Sequence, residues 1–129
     1  MSMKIKIHKT NEDKNDGNFR QIAVGDVFVE VEHFERTGNV WLKVIIPLKD
    51  SSGSYWEKDT YVSRGDNVND VILRLFREVV GTALFNANQK VIMEPYYAMK
   101  NFADWEKSIT DDTEAIAAVA LAVQGMYGE

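Results

Sequence analysis

From Val27 to Leu48 the side chains alternate with a period of two on either side of one short turn. Val27, Val29 and Val31 fall on one face and Phe28, Glu30, Glu32 and Phe34 on the other. After Arg36-Thr37-Gly38-Asn39, the residues Val40, Leu42, Val44 and Ile46 continue an apolar face, opposite Trp41, Lys43 and Ile45. Successive strand side chains point to opposite sides, so this alternation specifies strands, and a turn this short makes them antiparallel neighbours. Pro47 suits a strand end because it has no amide to donate.

The same reading extends in both directions. Arg20 to Val24 leads into Gly25-Asp26, and Asp50 to Ser54 is turn chemistry before a fourth aromatic and β-branched stretch, Tyr55 to Val62. Met3 to Lys9 alternates Lys4, Lys6 and His8 with Ile5 and Ile7, which predicts one more strand with a basic polar side. Lys90 to Tyr97 is a further candidate strand, broken at Pro95.

Helical periodicity begins at Asn67, a cap residue with Asp70 three positions later. Val68, Val71, Ile72, Leu75, Phe76, Val79 and Val80 then recur every 3.6 residues, predicting a helix from about Val68 to Ala83 that ends near Asn86-Ala87-Asn88. Residues 98–109, with Phe102 and Trp105, read as a short helix or a packed loop. Asp111, with Glu114 at the third position, is the expected cap of a final helix. The expected fold is α+β in one domain: a four- or five-stranded antiparallel sheet, a central helix packed on its Val27 and Leu42 face, and a C-terminal helix beside it.

Ala115 to Val123 has no polar residue on any side. A helix apolar all round is buried all round, and one small sheet covers only part of it. Two outcomes follow: its alanines slot under the chain's own sheet, or a second copy covers Ile116, Val119, Ala120, Leu121 and Val123. The second predicts a homo-oligomer, most simply a twofold dimer.

Several function classes lose their chemistry. The chain contains no cysteine and two histidines, His8 and His33. That removes disulfides, thiolate zinc sites, a cysteine nucleophile and an all-histidine metal site. No Walker loop, G-x-G-x-x-G, H-E-x-x-H, G-x-S-x-G or C-x-x-C occurs. Thr10 to Asn18 is rich in oxygen ligands, but with Gly17 at the sixth position Lys14 stands where a calcium loop needs a ligand. Glu30 with Glu32, Glu57 with Asp59 and Asp111 with Asp112 read as solvated acidic faces, since acid–base pairs need a cleft that separates their pKa values. Arg64-Gly65-Asp66 reads as a helix entry. His33 shares the side of Val27, Val29 and Val31 and is expected to be partly buried and hydrogen-bonded. No catalytic residue, metal ligand or cofactor is assigned.

Ala115 to Val123 is far shorter than the about 20 apolar residues of a membrane span. Ile5 and Ile7, alternating with lysines, do not form the continuous apolar region of a secretory signal, so the cytoplasm is the expected compartment.

The sheet remains as a binding surface. Phe34, Trp41, Tyr55 and Tyr61 can stack on bases while Arg36 and Lys43 contact phosphates. The order of four strands and a helix, over about residues 20–85, is similar to that of the whirly and transcriptional-coactivator class of single-strand DNA binders, which would imply such a role. Against it, the formal charge is −5, and Glu30, Glu32, Glu57 and Asp59 interrupt the aromatic rows with the sign that repels a phosphate backbone. Mixed aromatic and acidic surface suits a protein partner better, as in an inhibitor, immunity protein or virus-encoded accessory factor. The expectation is non-catalytic binding of an unidentified protein. The alternatives are single-strand nucleic-acid binding and a small-ligand binder or enzyme without a recognisable motif.

Overall fold

The computed structural model describes residues 18–47, 55–90 and 95–128, with the side chains of 82–90 and 95–101 outside that description. Four strands, β1 Phe19–Val24, β2 Val27–Phe34, β3 Asn39–Pro47 and β4 Tyr55–Val62, precede three helices, α1 Val68–Lys90, α2 Pro95–Asp111 and α3 Thr113–Met126. The strands form an antiparallel sheet in chain order. The fold is α+β, with four strands among the described residues; the expected strand at Met3 to Lys9 lies outside them.

Hairpin turns set the register. Gly25 and Gly38 have φ of 59° and 75°, the left-handed region that a side chain disfavours. The Gly38 amide donates to the Phe34 carbonyl at 2.8 Å, closing the turn between β2 and β3. Val29 therefore pairs with Val44, Val31 with Leu42 and His33 with Val40, and the valine faces align across the strands.

The helices cover that aligned side: α1 lies over β3 and β4, α3 over β1 and β2, and α2 against both helices. Val29, Val31, Val40, Leu42 and Val44 from the sheet meet Ile72, Leu75 and Phe76 of α1, Ile109 of α2 and Val119 of α3, all fully buried. Phe76 stacks on Phe102 at 5.3 Å between ring centroids and meets Trp105 edge-on at 6.5 Å, which fastens α2 to α1.

Two sequence expectations change and one open alternative is decided. The strand proposed from Lys90 to Tyr97 is not formed at its ends: Lys90 closes α1, and 95–97 open α2. Pro95 is the first residue of that helix, where a missing amide costs nothing. Residues 98–109 lie within α2 and are helical. The cap of α3 is Asp112, one residue later than expected, because Asp111 still belongs to α2 and pairs with Lys107 one turn back at 2.9 Å. That contact holds the Lys107 ammonium above its ordinary pKa, through hydrogen bonding first and charge second. Asn67 caps α1 as expected, its Oδ1 accepting from the Asp70 amide at 3.2 Å.

Candidate binding face

Among the described residues, no helix packs on the other side of the sheet, where the cross-strand register assembles two adjacent rows. Glu30 pairs with Gln21 and Lys43, and Lys43 with Asp59. In the next row Glu32 lies opposite Trp41, and Trp41 opposite Tyr61. Residues far apart in the chain become one surface because each strand contributes every second side chain.

Phe34, Trp41 and Tyr61 form a continuous aromatic ridge. Trp41 meets Phe34 at 6.3 Å and Tyr61 at 6.5 Å, with interplanar angles of 84° and 79°. These edge-to-face contacts direct the positive edge of one ring at the negative face of another. Phe34 is 43% and Tyr61 44% exposed, so an aromatic pair that a core would hide stands in solvent at either side of a half-buried indole.

Beside the ridge is a shallow hollow of about 280 Å³ lined by Glu30, Glu32, Phe34, Trp41, Lys43 and Asp59. Glu30 is 3% exposed and accepts from Gln21 Nε2 at 3.0 Å, so a carboxylate forms part of the floor. Lys43 Nζ lies 3.7 Å from Glu57 Oε2. Three of its six lining residues carry carboxylates and two are aromatic.

The residues expected to contact nucleic acid do not converge. Phe34, Trp41 and Lys43 line the hollow and Tyr61 extends the ridge. Tyr55 instead packs on the fully buried Ile45, at the far end of the same side, and Arg36 is exposed in the turn between β2 and β3. Trp56, next to Tyr55 in β4, pairs with Ile46 and packs on the helix-side core. Sequence reasoning did not anticipate the contributions of Glu30 and Asp59 to the hollow; the β2–β3–β4 register was the signal, and it depends on exact turn lengths. His33 is half-buried, with its amide donating to the Asn18 carbonyl at 2.8 Å and its Nδ1 3.3 Å from Asn18 Oδ1.

The expected interface on α3 divides. Val119 and Val123 are 0% and 2% exposed and belong to the chain's own core, so they present no outward surface. Ile116 and Ala120 are half-buried against that core, while Leu121 is 68% exposed beside the exposed Ala117 and Ala118. Among the described residues no group of acidic and imidazole side chains has metal-binding geometry, and no helix is long and apolar enough to cross a membrane. Comparison with protein-family models, curated proteins and solved structures found no match to the chain.

Proposed function

We propose that this is a non-catalytic binding protein that holds a protein partner on the side of its sheet away from the described helices. The observation that carries the reading is the exposed Phe34–Trp41–Tyr61 ridge beside an acidic hollow. Rigid aromatics lose little conformational entropy on binding and supply most of the energy of protein contacts, while neighbouring charge selects the partner. A phosphate backbone is disfavoured by the same carboxylates, which line the hollow directly beside the ridge. On this reading the protein acts in the cytoplasm, where a chain without cysteine forgoes no stabilising disulfide.

Affinity capture from the native host, comparing the wild type with a Phe34→Ser, Tyr61→Ser double variant of unchanged melting temperature, tests the reading. Loss of the captured protein is expected. Retention of it by the variant sinks the proposal, as does submicromolar binding to single-stranded DNA or RNA at about 150 mM salt that weakens steeply as salt rises.

A second copy of the chain is the partner proposed for α3, supported by the exposure of Leu121 among alanines that let another helix approach closely.

A further inference from the structure

We infer that Tyr127, at the end of α3, is the positioning residue of the aromatic ridge: its hydroxyl closes the end of the β3–β4 pair and so holds Tyr61 against Trp41. The inference rests on the reading of the ridge as a protein-binding surface. It adds the residue that sets the geometry a partner meets.

Connectivity gives the first argument. Val62 is the last residue of β4 and pairs with Val40, and the next pair inward is Tyr61 with Trp41. The Tyr127 hydroxyl donates to the Val62 carbonyl. Burial first and the Tyr61 phenol second raise the Tyr127 pKa, while the Val40 amide, donating to the same oxygen, lowers it. One hydroxyl therefore touches both members of the terminal strand pair and neighbours the phenol of Tyr61.

Rigidity gives the second. Tyr127 is half-buried against the core, and its amide donates to the carbonyls of Val123 and Gln124 at 3.2 and 3.1 Å. Arg64 Nη2 donates to its carbonyl oxygen at 2.9 Å. Tyr61, in contrast, is 44% exposed near the end of a strand that pairs, among the described residues, with β3 alone. The end of a strand with one neighbour frays more readily than its middle. The Tyr127 hydroxyl ties that end to the packed helical side. A ring held in its binding orientation beforehand loses less entropy on contact than a free one, which favours association.

The test is a nuclear magnetic resonance measurement, on the full chain, of the nuclear Overhauser signal between the Tyr61 and Trp41 rings, assigned by Tyr61→Phe and Trp41→Phe. Tyr127→Phe removes the hydroxyl and keeps the ring. Asn67→Ala, which uncaps α1 away from the ridge strands, is the control of comparable stability cost. The expected result is a signal weakened about twofold or more in Tyr127→Phe and unchanged in Asn67→Ala. Capture of the host protein should fall about three- to tenfold in Tyr127→Phe alone, which corresponds to the cost of ordering one side chain at an interface. An unchanged ring signal in Tyr127→Phe overturns the positioning role and leaves the ridge as a binding surface, and so does an equal loss in Asn67→Ala. Should Tyr127→Phe fail to fold, Tyr61→Phe takes its place, since it alters a 44% exposed position: the Tyr127 ring signals are expected to move, and unmoved signals overturn the inference. Capture retained by Tyr127→Phe but lost by the Phe34→Ser, Tyr61→Ser double variant overturns the positioning role alone. Capture retained by both overturns the sheet-side reading and this inference together.

Discussion

The amide of Gly25 donates to Oδ2 of Asp112 at 3.0 Å, tying the first hairpin turn to the junction of two helices 87 residues further along the chain. The other oxygen of the same carboxylate, Oδ1, accepts from the Ala115 amide at 3.2 Å and caps α3. One side chain thus satisfies donors at a strand turn and a helix start, and the Asp26 amide adds a bond to Ser108 Oγ at 3.1 Å. A Cβ on Gly25 would stand 2.5 Å from the Ser108 carbonyl carbon and oxygen. Gly25→Ala is therefore expected to cost about 2 kcal/mol or more, combining a left-handed backbone with a backbone clash. Asp112→Ala should cost about 1–3 kcal/mol by losing the cap and the tether together, and Asp112→Asn less, since asparagine also caps. Urea denaturation measures all three; Gly25→Ala at wild-type stability would show that the turn is not held against α2.

At the other helix entry, Asn67 Oδ1 is bonded to the Asp70 amide. Asn67→Ala is expected to lower stability by roughly 0.5–2 kcal/mol and to leave binding intact once folding is corrected for. An unchanged melting temperature accompanied by lost binding would reassign this residue to a ligand.

Neighbouring positions on α3 should behave oppositely. Val119→Ala removes buried atoms from the core and should cost about 2–3 kcal/mol. Leu121→Glu, at a position 68% exposed, should change the stability of the single chain by no more than about 0.5 kcal/mol. If α3 joins two copies, sedimentation at micromolar concentration shows a wild-type dimer and a folded Leu121→Glu monomer. A monomeric wild type refutes self-association.

Tyr127 closes the C-terminal end of the fold: its hydroxyl donates to the Val62 carbonyl, and Arg64 lies 5.5 Å from its ring centroid while donating to its carbonyl oxygen. Burial, followed by the neighbouring Tyr61 phenol, raises the Tyr127 pKa above 10. The neutral phenol is thus the form the fold favours. Its stabilisation is complete below the unfolded value near 10 and is lost as pH rises through the higher folded value. Tyr127→Phe is expected to cost about 0.5–1.5 kcal/mol at neutral pH, and the gap to wild type should narrow above pH 10. Thermal melts of both proteins across that range decide it; a constant gap would detach the effect from ionisation.

Much of the candidate face was legible in the residues themselves. Trp41 and Lys43 alternate with Leu42, and Phe34 with His33, so their common side followed from strand geometry. The hollow was not, because Glu30, Trp41 and Asp59 lie on three strands and meet only when both intervening connections have closed in the observed register. Trp56 shows the same dependence, since a shift of one residue in β4 would have placed it on the side away from the described helices.

Local periodicity was enough to place β2, β3, the start of α1 and the cap at Asn67, because each depends on side chains within one strand or one helical turn. It was not enough between Lys90 and Pro95, where a proline is compatible with a strand break or a helix start, or at Asp111-Asp112, where either carboxylate can cap. Packing made those choices: Asp112 is the one within reach of Gly25, and Phe102 and Trp105 bring α2 onto Phe76. The division of α3 into a buried Val119 and an exposed Leu121 has the same origin. Its sequence is apolar in every direction, and the side that faces inward is whichever one β1 and β2 cover.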